Sequence, residues 1–507
     1  MLSLARAVVR RQRLVRMAST GAKKAGGLVV TSGHRTSRTG KEVSFLHGLE
    51  VMFLGTSAGG PQAGRGNTSI ALRFTGHSQG GSHLWLFDCG EGSHRQVLNS
   101  NLPHAGISRI FVTHMHGDHI WGLASAVLSA LLDTGSRDPE VCVYGPSGLY
   151  AYLCCSLEVS RTQLKKNFRI KVFEFEDDSK RPDNWKTSRW DEVAFHERIQ
   201  RFKLKPDLLT QTSTAKPLRR TIEEDATEWL VFEDDFCTVR AGRLRHAVAC
   251  FGYVVTEKSS KLKIDVERAK ARGIAPGPDY RKFQNNEDVR RQDGTVVRAS
   301  EVTTPPSPPR KIAIFGDTSG PSKALTKLAM NADLLIHEAT FADNLMDIAL
   351  KRGHSTPTMA GTFAKKVNAE WLALTHFSPR FVSPHAAYKA AINGGPDLDD
   401  QLTVNMLVKS AKRAFQSPNV LAASDFMTLH VPKQPPPIQD NNVEQAPELS
   451  QTPEPQAPEE PQQQDQQQQQ PQKIRRLPTK LIDDETKQTE EVDFLDDKRQ
   501  MKNTTSS

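Results

Sequence analysis

The sequence predicts an α/β sandwich with a functional site along one sheet edge. Between residues 48 and 430, short β-rich apolar runs alternate with stretches of helical spacing, and Gly-rich turns separate them. Several of the runs end in polar residues capable of chemistry, which is how strands deliver a site from their ends. The runs come in order. LEVMFLG (49–55), TSIALRF (68–74), HLWLFDC (83–89) and SRIFVTH (108–114) read as strands, and IWGLASAVLSALLD (120–133) as a helix. KIAIFGDT (311–318), DLLIHEAT (333–340) and EWLALTHF (370–377) are strands with chemistry at their ends. Residues 257–310 are polar with a Pro-rich end, and read as long surface loops inside the domain.

Composition bounds the rest. The chain has 507 residues, 37% hydrophobic and 25% charged, ordinary values for a globular protein. No run approaches 18 uninterrupted apolar residues, so no membrane helix is expected. Six scattered cysteines without CxxC spacing favour a reducing compartment. The net charge of +9 is unevenly spread. Residues 1–41 carry ten Lys/Arg and no acid, residues 431–507 carry fifteen acids and nine bases, and the middle keeps +5. That excess permits a polyanionic substrate.

Three segments follow. Residues 1–41 form a basic leader in which Arg6, Arg10, Arg11, Arg13 and Arg16 alternate with apolar residues. Such a leader is expected to direct mitochondrial import, the alternatives being a basic arm or initiation at Met17, with a nuclear or cytoplasmic location. Residues 42–430 hold the folded domain with the candidate site. Residues 431–507 are rich in Pro, Gln and Glu, too polar to offset chain entropy, and are expected to be disordered. The patch Lys473-Ile474-Arg475-Arg476 reads as a nuclear signal or a solvated cluster.

The most informative string is Thr113-His114-Met115-His116-Gly117-Asp118-His119, placed after a strand and before a helix. Imidazole and carboxylate suit zinc and similar ions. Alternate residues of an extended segment point the same way, so His114 and His116 can converge on one ion. Asp118 and His119 follow across the Gly117 turn and can face a second. Further donors stand near strand ends: His246, Asp317 and His376. The expected shell is His114, His116 and His246 on one ion and Asp118, His119 and His376 on the other, with Asp317 bridging. Taken singly, His246 or His376 reads as an ordinary core or surface histidine. An all-N/O donor set favours hydrolysis over a structural Cys-rich zinc site.

These strings resemble the metallo-β-lactamase superfamily and, within it, the short form of the ribonuclease Z (tRNase Z) family. The likeness runs from about Leu49 to His430 through FLGTSAGGPQAGRGNTSIAL, FDCGEGSHRQ, THMHGDHIWGL, LRHAVACFGYVV, GIAPGP, DGTVV, RKIAIFGDT, LIHEAT, GHST and LTHFSPR, in that order. GPDYRKF (277–283) departs from the pattern, lacking the glycine and Leu-Lys that usually follow the Gly-Pro. The resemblance implies a four-layer αββα sandwich and two zinc ions per chain, with manganese or another divalent ion as alternative. It implies a supporting role for Asp88 behind the ligand histidines. It also implies that Glu338 and His354 form a proton-transferring pair, with Asp118 sharing in proton handling. Such a pair makes chemical sense, because a leaving ribose oxygen needs a proton and a carboxylate can charge-support a histidine acid.

The implied activity is endonucleolytic removal of the 3′ trailer from precursor tRNA after the discriminator nucleotide, leaving a 3′ hydroxyl. The alternative is another binuclear phosphodiesterase of the same fold. From a different class, a metal-dead scaffold protein would lack ligands, and all seven are present. The resemblance further implies a homodimer and a protruding arm that grips tRNA; the interval 156–235, rich in Lys and Arg but also carrying acidic runs at 174–178 and 233–235, is the place expected for it, a solvated mixed-charge insertion being the alternative.

Overall fold

The computed structural model describes residues 23–25, 28–32, 48–62, 64–74, 83–103, 106–132, 138–176, 196–208, 226–259, 261–291, 293–382 and 402–435. Two sheets make the frame. The first runs, edge to edge, Lys23–Ala25, Leu28–Ser32, Met427–Val431, Leu49–Gly55, Ser69–Phe74, His83–Phe87, Ile107–Phe111, Glu140–Gly145, Arg169–Phe175 and Ile199–Leu204. The second runs Asp207–Leu208, Thr227–Glu233, Cys237–Leu244, Cys250–Glu257, Lys311–Ile314, Leu334–Glu338, Trp371–Thr375 and Val420–Ala422. Strands from His83 to Leu204 are mutually parallel, as are those from Lys311 to Ala422.

The strands are apolar on both faces because both faces are covered. In Leu49–Gly55 every residue is buried. Met52 and Leu54 pack into the cluster formed with helices Leu123–Leu132 and Leu149–Val159, whereas Leu49, Val51 and Phe53 face the space between the sheets. Leu84 and Leu86 against Trp85 and Phe87 repeat that alternation. On the second sheet, Leu335 and Leu372 turn outward to helices Pro357–Lys366 and Val404–Phe415, while Leu334 and Ile336 turn inward. The result is an αββα sandwich, with its broadest cluster between the sheets. Truncating Phe53 or Phe87 to alanine there should cost about 3–5 kcal/mol.

Four sequence expectations shift. The helix expected over 120–133 is two helices, Gly117–Ile120 and Leu123–Leu132, broken at Gly122. Gly122 N donates to Cys89 O at 2.8 Å, and a Cβ there would meet Gly90 O at 2.1 Å, so the backbones approach too closely for any side chain. Secondly, Lys23–Ala25 and Leu28–Ser32, assigned to the leader, pair into the first sheet, with Val30 opposite Leu429. The sheet boundary therefore precedes residue 42. The rest of 1–41 lies outside the described residues, as does the tail from 436.

Thirdly, the interval 156–235 is not one insertion. Arg169–Phe175 and Ile199–Leu204 close the first sheet, and Asp207–Leu208 and Thr227–Glu233 open the second. Alternating apolar residues in RIKVFEF carry that signal beneath the charge. The stretches 177–195 and 209–225 lie outside the described residues. Finally, 258–309 is no plain loop. Helices Val266–Ala271, Pro278–Gln284 and Ala299–Val302, with a small hairpin (Val289–Arg290 and Val296–Val297) and a two-stranded ladder that joins Lys263–Ile264 to Thr303–Thr304, enclose their own core of Ala269, Ile274, Phe283, Val289, Val297, Ala299 and Val302. Asp265 caps the first helix, accepting from Arg268 N at 3.1 Å.

Candidate metal centre

Every expected donor arrives near a strand end at one edge of the sandwich. His114 and His116 follow Ile107–Phe111, and Asp118 and His119 lie in the short helix after them. His246 follows Cys237–Leu244, Asp317 follows Lys311–Ile314, Glu338 ends its strand and His376 follows Trp371–Thr375. The ligand atoms of His114, His116, His246 and Asp317 lie within 4.8 Å of one another, as do those of Asp118, His119 and His376. Asp317 stands between the groups. Its Oδ2 is 3.7 Å from His114 Nε2 and 3.9 Å from His246 Nε2, and its Oδ1 is 3.5 Å from His119 Nε2 and 3.3 Å from His376 Nε2.

Outer partners decide which nitrogen faces inward. Asp88 accepts from His119 Nδ1 at 2.7 Å, and also from Thr113 N at 2.7 Å and Thr113 Oγ1 at 2.8 Å. Because the Thr113 hydroxyl proton is spent on Asp88, His114 Nδ1 must donate to Thr113 Oγ1 at 3.0 Å. His246 Nδ1 donates to Gly353 O at 2.8 Å. Thr340 Oγ1 donates to Glu338 Oε2, so His376 Nδ1 donates to Thr340 Oγ1 at 2.9 Å. His114, His119, His246 and His376 thus turn Nδ1 to an outer partner and aim Nε2 into the site, the arrangement that orients metal ligands. Gly59 N supports Asp118 in the same way, donating to its Oδ2 at 2.6 Å.

This donor set fits cations. His119 Nε2 and His376 Nε2 are 3.3 Å apart, and His116 Nδ1 is 3.1 Å from His114 Nε2 and 3.2 Å from His246 Nε2. These separations match those between ligands of a tetrahedral zinc ion, about 3.3 Å. Asp317 Oδ1, buried, accepts no hydrogen bond. Burial pushes the pKa values of His114, His246 and His116 down, favouring the neutral ligand form. Burial opposes charge on His119 too, yet the carboxylates of Asp317 and Asp88 raise its pKa to about 10. Asp118 is held well below the usual carboxylate range: burial works against that, and His376 and His119 outweigh it.

Glu338 and His354 sit beside this cluster as a pair. His354 Nδ1 donates to Glu338 Oε1 at 3.0 Å and lies 3.7 Å from Asp317 Oδ2. Its atoms also come within reach of Asp317 and His376 as a third donor grouping, but Nδ1 is committed to Glu338. Burial disfavours the imidazolium, and the Glu338 carboxylate outweighs it, raising His354 to about 9. Thr318 N donates to Glu338 Oε1 at 2.7 Å, and through Thr340 the same carboxylate supports His376. Gly353, at φ +71°, turns the chain so that His354 faces the site and its own carbonyl holds His246.

All nine expected site residues therefore meet in one cluster, and Asp88 stands behind them. Sequence reasoning missed Thr113, Thr318, Thr340, the Gly353 carbonyl and Gly59 N. All five stood inside strings already noted, but nothing local tied Gly59 to Asp118, 59 positions away.

An αββα sandwich with HxHxDH at one edge and single His, Asp and His donors from later strand ends defines the metallo-β-lactamase class. The family model described as Anti-Pycsar protein Apyc1 matches residues 49–173. Human zinc phosphodiesterase ELAC protein 1 is 35% identical over 392 residues, covering 76% of this chain and 99% of its own. Ribonuclease Z of Synechocystis is 34% identical over 385 residues, covering 76% of this chain and 95% of its own. The solved human tRNase Z, short form, is 29% identical over 76% of this chain and 99% of its own, with a TM-score of 0.46. The chain belongs to the ribonuclease Z family.

Proposed function

We propose that this protein is a metal-dependent endoribonuclease that removes the 3′ trailer from precursor tRNA after the discriminator nucleotide. The observation that carries the chemistry is the Glu338–His354 pair set against a cluster of seven N and O donors. His114, His116, His246 and Asp317 would hold one ion, and Asp118, His119, His376 and Asp317 a second, zinc being the first choice. Ions there would lower the pKa of bound water and stabilise charge on the attacking and leaving oxygens. Water attacks phosphorus, the bond to the ribose 3′ oxygen breaks, and phosphate stays on the trailer. Asp118, kept ionised, is placed to accept the water proton. His354, kept protonated by Glu338, is placed to give a proton to the departing 3′ oxygen.

For tRNA gripping we turn from 156–235 to the 258–309 module. It packs on its own core, and between Lys261 and Thr304 it carries ten basic and seven acidic residues. It leaves the sheet between two adjacent antiparallel strands, where Thr256 pairs with Lys311. A short turn can therefore replace it without removing a sheet strand. It roots at the strand ends opposite the metals, roughly 20 Å from Asp317 at about 3.3 Å per extended residue. That separation suits a homodimer in which one copy holds tRNA for the other, and the mass of the protein in solution tests this. Mitochondrial import through the leader remains our reading of residues 1–41, and a reporter fusion of that segment tests it.

The activity is tested by giving the full chain a precursor tRNA and a small chromogenic phosphodiester, each with and without chelator. Strong preference for the tRNA, lost with chelator, supports the reading. Hydrolysis of the small diester alone moves the protein to the alternative, a general binuclear phosphodiesterase.

A further inference from the structure

The two legs of the 258–309 module are built differently. The incoming leg leaves Glu257 through Lys258, whose N donates to Phe236 O at 2.7 Å. The outgoing leg is Thr304-Pro305-Pro306-Ser307-Pro308-Pro309, ending on Arg310. Four prolines in five residues fix φ and make a stiff, extended strut. A strut of that kind carries the orientation of its foot to its tip.

The foot is unusually well held. Arg310 is 4% exposed and Glu257 8% exposed. Arg310 Nε donates to Glu257 Oε2 at 2.9 Å, Nη2 to Oε1 at 2.5 Å, and the Arg310 backbone N to Oε2 at 3.1 Å. Glu257 N returns a bond to Arg310 O at 2.9 Å. The remaining fork of the guanidinium, Nη1, donates to Val431 O at 2.7 Å. Glu257 ends a strand of the second sheet, Arg310 directly precedes the next one, and Val431 ends a strand of the first sheet, so one side chain joins both sheets and both legs of the module. Buried ion pairs of this type are poor sources of stability, since apolar residues of similar size often serve as well. What they supply is direction, through bidentate geometry.

Resting on the reading that the module holds tRNA, we propose that Arg310, gripped by Glu257 and Val431, is a positioning residue for this enzyme. The pair fixes the foot, the proline strut transmits its direction, and the module meets tRNA already aimed. A module that swings freely must be ordered at each binding event, which weakens affinity without touching the chemistry. Arg310 acts through the module and does not touch substrate.

The test uses the full chain in four forms: wild type, Arg310→Lys, the double variant Arg310→Met with Glu257→Met, and a form with 258–309 replaced by a short turn. Michaelis parameters on precursor tRNA are measured beside hydrolysis of bis(p-nitrophenyl) phosphate and the melting temperature. The double variant keeps the buried volume filled if the lysine variant folds poorly. The expected result is a KM for tRNA raised tenfold or more in both substituted forms, with kcat and small-diester hydrolysis within twofold of wild type. Replacing all four prolines by serine should raise KM in the same way with Arg310 intact. An unchanged KM in the folded double variant overturns the inference. So does a parallel loss on both substrates that tracks the melting temperature, which marks a merely structural pair. If excision of the module leaves KM unchanged, the tRNA-holding reading itself fails. If excision raises KM and the Arg310 variants do not, only the positioning role fails.

Discussion

The metal edge and the 258–309 module make opposite use of the chain. At the metal edge, nine chemistry-bearing residues come from six segments, and most of the rings have a second partner behind them. Asp88 behind His119, Thr113 behind His114 and Thr340 behind His376 leave each ring a single orientation. The module has a core of only seven buried side chains, Phe283 the one aromatic among them, and is joined to the sandwich at one foot. Precision is built where bonds are broken, and reach is built where a large substrate is held. The two regions sit at opposite ends of the same strand, Lys311–Ile314, with Arg310 before it and Asp317 after it.

Changes at the metal edge should break the reaction, and changes at the module should only weaken its grip. The largest effect is expected for Asp317→Ala or His116→Ala, which removes a donor from the cluster. Metal content should fall with nearly all hydrolysis of either substrate, and full activity in either variant would refute the proposed shell. Next comes Glu338→Ala, which takes away the carboxylate that keeps His354 protonated. Cleavage should slow by about 10²–10⁴-fold with metal retained. The sign of the pH effect follows from the raised pKa of His354, about 9 with Glu338 in place. Without Glu338 the proton is lost earlier, so the alkaline limb of the rate profile should move to lower pH. A profile that keeps its shape would remove His354 from the acid role.

Asp88→Asn should be milder. It keeps the shape but offers an amide where His119 Nδ1 needs an acceptor, and metal affinity should drop by about 10–100-fold. Titration with a competing chelator measures it. The smallest effect concerns stability at the module foot. Burial raises Glu257, and Arg310 outweighs it, so the folded pKa lies below that of the unfolded chain. The pair therefore contributes stability above the ordinary glutamate range, lost as pH falls through the depressed folded value. The melting temperatures of wild type and Arg310→Met should converge on acidification, and a gap constant with pH would mean that the charge contributes nothing.

How much of this was readable in the sequence differs between the same two regions. The metal edge was almost wholly legible, because HxHxDH, FGDT, HEAT, GHST and LTHF each compress several functional residues into a short string at a strand end. What stayed hidden there was long-range: Gly59 meets Asp118 only through the fold. In the sequence the module looks like loops because its helices are six, seven and four residues long, too short for a 3.6-residue period to show. The strands within 156–235 were obscured by charge, since Arg201 and Lys203 both turn to the buried Glu174 and hide a sheet strand as a basic run. The N-terminal strand was lost to composition, for LVVTS sits inside a segment defined by its arginines and lysines.

The most direct measurement is to map, at single-nucleotide resolution, the 3′ end produced when the full-length protein meets a precursor tRNA carrying a trailer. One chelator-sensitive cut after the discriminator, leaving a 3′ hydroxyl, is the expected result. Cuts scattered along the trailer, or an intact precursor beside a metal-loaded protein that hydrolyses small diesters, would contradict it.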